Sequence, residues 1–160
     1  MPTTVTIQEL LAMRDHDLEP SRWVEIGQDR IDLFAEATED HQFIHVDPEK
    51  AAESFFGTTI AHGFLSLALL APLWQEQAVV PEGAVMTINY GLDRVRFLQP
   101  VKTGSRVRML PKVVQAESTK PNRILVTGEA VLEIEGEEKP ALIATPLMLY
   151  VVRRPQRESR

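Results

Sequence analysis

The sequence predicts an α+β fold in which an antiparallel sheet curves around one long apolar helix. Three observations carry that expectation. Helical signals dominate up to about Gln77, and strand signals dominate after Gly83. The run FLSLALLA from Phe64 is apolar on every face, which suits a helix buried on every side. The strand-like runs that follow are long and closely connected, so they need a second layer to cover their apolar face.

Each element has its own local reason. Residues 7–14, IQELLAMR, read as a short amphipathic helix, and residues 21–27, SRWVEIG, alternate like a strand. In residues 29–38 Ile31, Phe34, Ala35 and Thr38 recur at helical spacing. Residues 40–46 read as a loop. Asp47-Pro48-Glu49 is a helix start, with an N-cap aspartate, a proline at the first helical position and an acid behind it, leading into PEKAAESF. FFGTTIAHG is irregular, with two glycines. Pro72 should break or kink the apolar helix, and LWQEQA should continue it. After the turn Pro81-Glu82-Gly83 come AVMTINY, DRVRFL, SRVRMLPKVVQAES, NRILVTGEAVLEIE and KPALIATPLMLYVV. TKPN joins the third to the fourth, and GEEK the fourth to the fifth. One domain is expected over residues 1–152, with a polar tail at 153–160.

Composition narrows the function. A chain of 160 residues can bury a sizeable core without staples. The absence of cysteine excludes disulfides, thiolate metal sites and cysteine nucleophiles, and fits a reducing cytoplasm. The N-terminus lacks the basic-then-apolar order of a secretory signal. The longest apolar stretch, residues 64–74, is too short to span a bilayer. A cytoplasmic protein without a membrane partner is expected. A net charge of −6 argues against a nucleic-acid partner. A local basic group, Arg94, Arg96, Lys102, Arg106, Arg108 and Lys112, could meet a few ligand phosphates. The same residues are equally read as solvated strand faces.

The stretch DHQFIHVDP, residues 40–48, mixes Asp40, His41, His45 and Asp47 with Phe43, Ile44 and Val46. Acid/base residues among apolar neighbours suggest a half-buried proton-handling site. Taken singly, Asp40 is equally a helix-terminal loop residue or an N-cap, and His45 a satisfied core histidine. Asp47 suits an N-cap and His41 a loop. His41 and His45 have the four-residue spacing of helical metal ligands, with Asp40 adjacent, but a loop would not present them together. No metal is expected.

Residues 34–70 as a whole resemble the MaoC-like, (R)-specific enoyl-CoA hydratase family. The resemblance rests on Asp40, four residues, His45 and Asp47-Pro48, then on Ile60-Ala61-His62-Gly63-Phe64-Leu65. Val95-Arg96-Phe97-Leu98-Gln99-Pro100-Val101 followed by Gly104 extends it. The DHQFIH variant is most similar to the branch labelled nodulation protein N-like. The resemblance implies the hot-dog fold and dimerisation with sheets joined edge to edge. It also implies an acyl-CoA or acyl-carrier-protein thioester as substrate, with no cofactor beyond the coenzyme A that the substrate carries. Asp40 and His45 would share one catalytic water, and the Gly63 N–H would bind the thioester oxygen.

The chemistry explains those residue types. Hydrating a trans-2-enoyl thioester puts water on C3 and a proton on C2, while the thioester oxygen gains charge. That needs a base, an acid and an oxyanion donor. Gln42 and His62 are added as substrate-side candidates, His62 chiefly as a buttress. Two departures stand out. Gln42-Phe43 occupy the usual Asn-Pro, and Ala71 stands where some hydratases carry a helix serine. Ser66 lies about one turn earlier. Phe55, Phe56, Phe64, Leu65 and Trp74 are candidate walls for the acyl chain. An acyl-CoA thioesterase of the same fold and a non-catalytic acyl-CoA-binding module are the other readings.

Overall fold

A computed structural model describes residues 2–153. The expected tail, apart from Arg153, lies outside the described residues. The chain opens with β1 (Thr3–Val5), α1 (Ile7–Ala12), β2 (Arg14–Asp17) and β3 (Val24–Ile26). Four short helices follow: α2 (Gln28–Thr38), α3 (Phe43–Val46), α4 (Pro48–Ala52) and α5 (Gly63–Ala68). Then come α6 (Leu70–Gln77), β4 (Val79–Pro81), β5 (Ala84–Phe97), β6 (Ser105–Lys120), β7 (Arg123–Ile134) and β8 (Leu142–Val152). Thr6 caps α1 through a capping box with Glu9, and Asp47 accepts the Lys50 N–H to start α4.

The main sheet runs β2-β6-β7-β8-β5, with β3 also paired to β6 and every pairing antiparallel. β1 and β4 form a separate parallel pair. β7 alternates cleanly between buried and less buried residues because strands flank it on both sides. β6 and β7 meet in a tight hairpin at Lys120 and Arg123, inside the expected TKPN connection. The two strand runs expected at 84–90 and 93–98 are one strand, β5. It absorbs the intervening Gly91-Leu92 through register shifts against β8 rather than through a loop.

The helix inside the sheet comes in two segments. α5 stops at Ala68, and Pro72 is the cause: its ring collides with the carbonyl four residues back, which is that of Ala68. Leu69 keeps near-helical dihedrals, so α6 continues the path. Leu65, Leu69, Leu70, Leu73 and Trp74 point into the core. The Trp74 ring packs against β7 at Gly128, where any Cβ would overlap it. The helix is not buried on every side, as its composition suggested. Phe64, Ala68, Pro72 and Gln75 form an exposed stripe, because the sheet covers only one flank and ends at β5. Among the described residues, no helix is long and apolar enough to cross a membrane.

Candidate active site

Asp40 follows the turn that ends α2. Glu39 caps that helix with φ 63° and ψ 16°, in the left-handed region, and so turns the chain off the helix axis. For a residue with a side chain this conformation costs about 1–2 kcal/mol, which the surrounding contacts must outweigh. Asp40 is solvent-exposed, and its Oδ1 accepts the Gln42 N–H at 3.3 Å. The loop expected at 40–46 instead contains one helical turn, α3, capped by the Gln42 backbone. Within this turn Ile44 and Val46 are half-buried, Phe43 is exposed, and His45 points inward.

His45 is buried, at 6% exposure, and its Nδ1 lies 2.7 Å from the Ile60 carbonyl oxygen. A carbonyl only accepts, so Nδ1–H donates and the neutral ring keeps its lone pair on Nε2. Burial is the main influence on this ring and pushes its pKa below the ordinary 6.5. The Ile60 hydrogen bond and the Asp40 carboxylate oppose the shift, and His62 reinforces it.

His62 immediately precedes α5 and is buried at 2% exposure. Its Nε2–H donates to the Asp40 backbone carbonyl at 2.9 Å. Its ring stacks on His45, with centroids 3.9 Å apart and planes 22° apart, while Phe34 from α2 closes the other side at 5.0 Å. His62 thus ties Asp40 and His45 to the start of α5. Its Nδ1 is buried without a hydrogen-bond partner. Ligand atoms of Asp40, His45 and His62 all lie within 4.8 Å of one another. These three are the residues that could hold a metal ion.

A residue that sequence reasoning missed is Gln28, the first of α2. Its Nε2 donates to the His45 carbonyl at 2.7 Å and to Asp32 at 2.8 Å, and its Oε1 accepts the Thr59 hydroxyl at 2.5 Å. Together with the Ile60 N–H on the Ile44 carbonyl, it fastens α3 to the loop before α5. No local pattern marks Gln28, because its partners lie 17 and 31 residues away.

A cavity of about 390 Å³ opens beside these groups, lined by His45, Gly63, Ser66, Phe56, Phe97 and Gln99 among others. Gly63 begins α5, so its N–H lies ahead of the intrahelical ladder and is free for a ligand. Asp40, Gln42 and His62 are outside this lining; Asp40 joins it only through its proximity to His45. Ser66 is buried and faces the cavity one turn after Gly63, whereas Ala71 lines a different hollow. Ser66 thus brings a hydroxyl to this cavity, three residues after Gly63 and so on the same helix face. His41 points to Glu36 at 3.7 Å, and Asp47 is an N-cap. Of the basic group, Arg106 and Arg108 pair across strands with Glu135 and Glu133, and both guanidinium groups lie over the Trp23 ring. Lys112 sits near Asp17 and Glu129.

Comparison with known proteins gives the same direction. Residues 11–134 match the family described as MaoC like domain. The chain is 46% identical over 151 residues to 3-hydroxyacyl-thioester dehydratase Z of Mycobacterium tuberculosis, covering 94% of this chain and 99% of that protein. It is 50% identical over 129 residues to Nodulation protein N of Rhizobium leguminosarum bv. viciae, covering 80% of each. Among solved structures, the (R)-hydratase from A. caviae involved in PHA biosynthesis superposes with a TM-score of 0.70 at 22% identity. That match covers 90% of this chain and 98% of the other, and it assigns the hot-dog fold.

Proposed function

The chain belongs to the MaoC-like domain family of dehydratases and hydratases, and from that premise we propose that it is an (R)-specific 2-enoyl-CoA hydratase, equivalently a (3R)-hydroxyacyl-CoA dehydratase. The observation that carries the reading is the pairing of Asp40 with the inward-turned His45. Their ligand atoms lie within 4.8 Å, beside the cavity that Gly63 opens. A water making two hydrogen bonds of about 2.7–2.9 Å can bridge acceptors at that separation.

Both members of the pair are acceptors: the carboxylate by its charge, and His45 through the Nε2 lone pair that the Ile60 carbonyl leaves free. The shared water therefore donates both protons and presents an oxygen lone pair to C3. As the C3–O bond forms, one water O–H breaks and its proton passes to the pair. The C2–C3 π electrons move toward the thioester carbonyl, whose oxygen gains charge against the Gly63 N–H at the start of α5. The same proton then forms the C2–H bond, and the pair returns to its starting state. The two groups act as one titrating unit. Ser66 adds a hydroxyl to the same cavity, and His62 holds Asp40 and His45 in place. Coenzyme A or a carrier-protein arm belongs to the substrate, and the route uses no further cofactor.

A homodimer belongs to this reading. β5 is an edge strand that exposes Val85, Met86, Ile88, Tyr90 and Leu92 on both faces, an edge that an open sheet must cover. Pairing two such edges around a two-fold axis would do so. Sedimentation equilibrium should give the mass of two chains; a one-chain mass would remove this part.

The test of the activity is loss of the enoyl chromophore of crotonyl-CoA on mixing with the protein, followed by chiral analysis of the 3-hydroxyacyl product. The (R) product is expected. An (S) product, or free coenzyme A release detected with a thiol reagent, would overturn it, the latter in favour of a thioesterase. Acyl-CoA binding without turnover would favour a binding module.

A further inference from the structure

The turn that carries His45 does not hold itself. α3 is four residues long, and a single helical turn is marginal without outside support. Its carbonyls fall in the last turn of a helix and need partners from elsewhere. The Ile44 carbonyl takes the Ile60 N–H at 2.9 Å, and the His45 carbonyl takes the Gln28 amide at 2.7 Å. The same amide donates to the Asp32 carboxylate at 2.8 Å, and its Oε1 accepts the Thr59 hydroxyl at 2.5 Å. Chemistry sets the orientation of that amide. Nε2 faces two groups that only accept, and Oε1 faces a hydroxyl that donates.

These bonds close a ring. From Gln28 Oε1 it passes through the Thr59 hydroxyl and along the chain to the Ile60 carbonyl. It crosses to His45 Nδ1–H, follows His45 to its own carbonyl and returns to Gln28 Nε2. One side chain thus holds the backbone that carries the imidazole and the segment whose carbonyl receives the imidazole proton. Both ends of the ring rest on the turn that leads into β6. The Gly104 N–H donates to the Ile26 carbonyl at 2.7 Å, two residues before Gln28, and the Thr103 N–H donates to the Thr59 carbonyl at 3.0 Å. Thr59 is buried at 1% exposure, where its hydroxyl needs a protein partner. Neither Gln28 nor Thr59 lines the cavity with His45.

We propose that Gln28, working with Thr59, is a positioning residue for the reaction, holding His45 with its proton on Nδ1 and its Nε2 lone pair left for the shared water. The proposal rests on the hydratase reading above. Without the amide the ring opens and the His45 carbonyl loses its partner. The imidazole then rocks against Ile60, and its proton redistributes between the two nitrogens. A ring protonated on Nε2 donates to the water instead of accepting from it, so it cannot take the proton that the attack on C3 releases.

The experiment pairs kinetics with the nitrogen signals of the imidazole. Gln28→Met keeps the length of the side chain and removes its hydrogen bonds. Thr59→Val keeps the shape and removes the hydroxyl, whereas Thr59→Ser retains it. In Gln28→Met and Thr59→Val, kcat for crotonyl-CoA is expected to fall about 10–10²-fold, since about 1 Å of misplacement can cost 10²-fold. KM should stay within a few fold, because neither residue touches the cavity. Thr59→Ser should stay close to wild type. Combining Gln28→Met with Thr59→Val should add little to the larger single loss, because both open one ring. Long-range ¹H–¹⁵N spectra without substrate read the tautomer directly, and His45→Ala identifies the His45 signals among the four histidines. Wild type and Thr59→Ser should show the proton on Nδ1, and Gln28→Met and Thr59→Val a mixture of tautomers. Equal losses in Thr59→Ser and Thr59→Val overturn the proposal. So does an unaltered His45 tautomer in Gln28→Met, which would leave Gln28 a brace visible only in the urea midpoint. If Gln28→Met does not fold, Thr59→Val read against Thr59→Ser opens the same ring. An inactive wild type whose His45 tautomer answers to Gln28 would sink the hydratase reading alone. An active wild type whose tautomer ignores Gln28 would sink this one.

Discussion

The two flanks of α5 face mainly apolar cavities of similar volume, and only one of them holds an imidazole. On one flank, His45, His62 and Ser66 are buried polar groups; the two imidazoles donate to the Ile60 and Asp40 carbonyls, and Gln28 holds the α3 backbone at the His45 carbonyl. On the other, mostly apolar residues meet Trp74, with Gln75, Thr87 and Asn89 the polar side chains among them. Buried polar groups need partners with good geometry, so the first flank draws on four separate segments of chain. The apolar flank needs only volume, supplied by one helix and two strands. Damage to the first should therefore appear in rate, and damage to the second in stability.

The largest expected effect lies on the polar flank. Asp40→Asn and His45→Ala should each lower kcat/KM for crotonyl-CoA by about 10²–10⁴-fold, the usual worth of a positioned acid/base group. Asp40 is exposed, so Asp40→Asn should leave the urea midpoint close to wild type. Rates within tenfold of wild type in both variants would break the contrast between the flanks.

The apolar flank should answer in the other currency. Gly128→Ala forces a methyl group into the Trp74 ring, and overpacking of this kind destabilises by about 1–3 kcal/mol. Urea unfolding should show the shift, while kcat per folded molecule with crotonyl-CoA stays within a few fold. A large fall in kcat with an unchanged midpoint would mean that the flanks are coupled through α5.

How much of this was legible in the residues follows the same division. Local chemistry announced the helix start at Asp47-Pro48, the break caused by Pro72 and the β6–β7 hairpin, because each depends on neighbours along the chain. The Asp40, His45 and Gly63 pattern singled out groups that the fold brings together, Asp40 beside His45 and His45 with Gly63 on one cavity. What stayed hidden depends on distant partners. Three-residue strands such as β1 and β4 carry too few side chains to alternate detectably, and they exist because each pairs with the other. Gln28 looks like any helix-opening amide until Thr59 and His45 meet it. The exposed stripe on α5 and α6 is apolar like the buried one, so composition could not reveal that one chain leaves it uncovered.

The smallest effect concerns how His62 tunes its neighbour. His45 is pushed below 6.5 chiefly by burial, with His62 adding to the shift and the Ile60 carbonyl and Asp40 opposing it. The folded state therefore favours neutral His45. That contribution to stability is present above pH 6.5 and is lost as pH falls through the lowered value. If neutral His45 is the working form, the acid limb of kcat/KM lies below pH 6.5. His62→Phe keeps an aromatic ring against His45 but removes the downward electrostatic influence of His62, so the limb should move upward toward 6.5. It also removes the hydrogen bond to the Asp40 carbonyl, so kcat should fall at every pH. A pH–rate profile separates the two consequences. A uniform drop with an unmoved limb would leave His62 as a brace alone, and a limb moving downward would reverse the sign of its influence on His45.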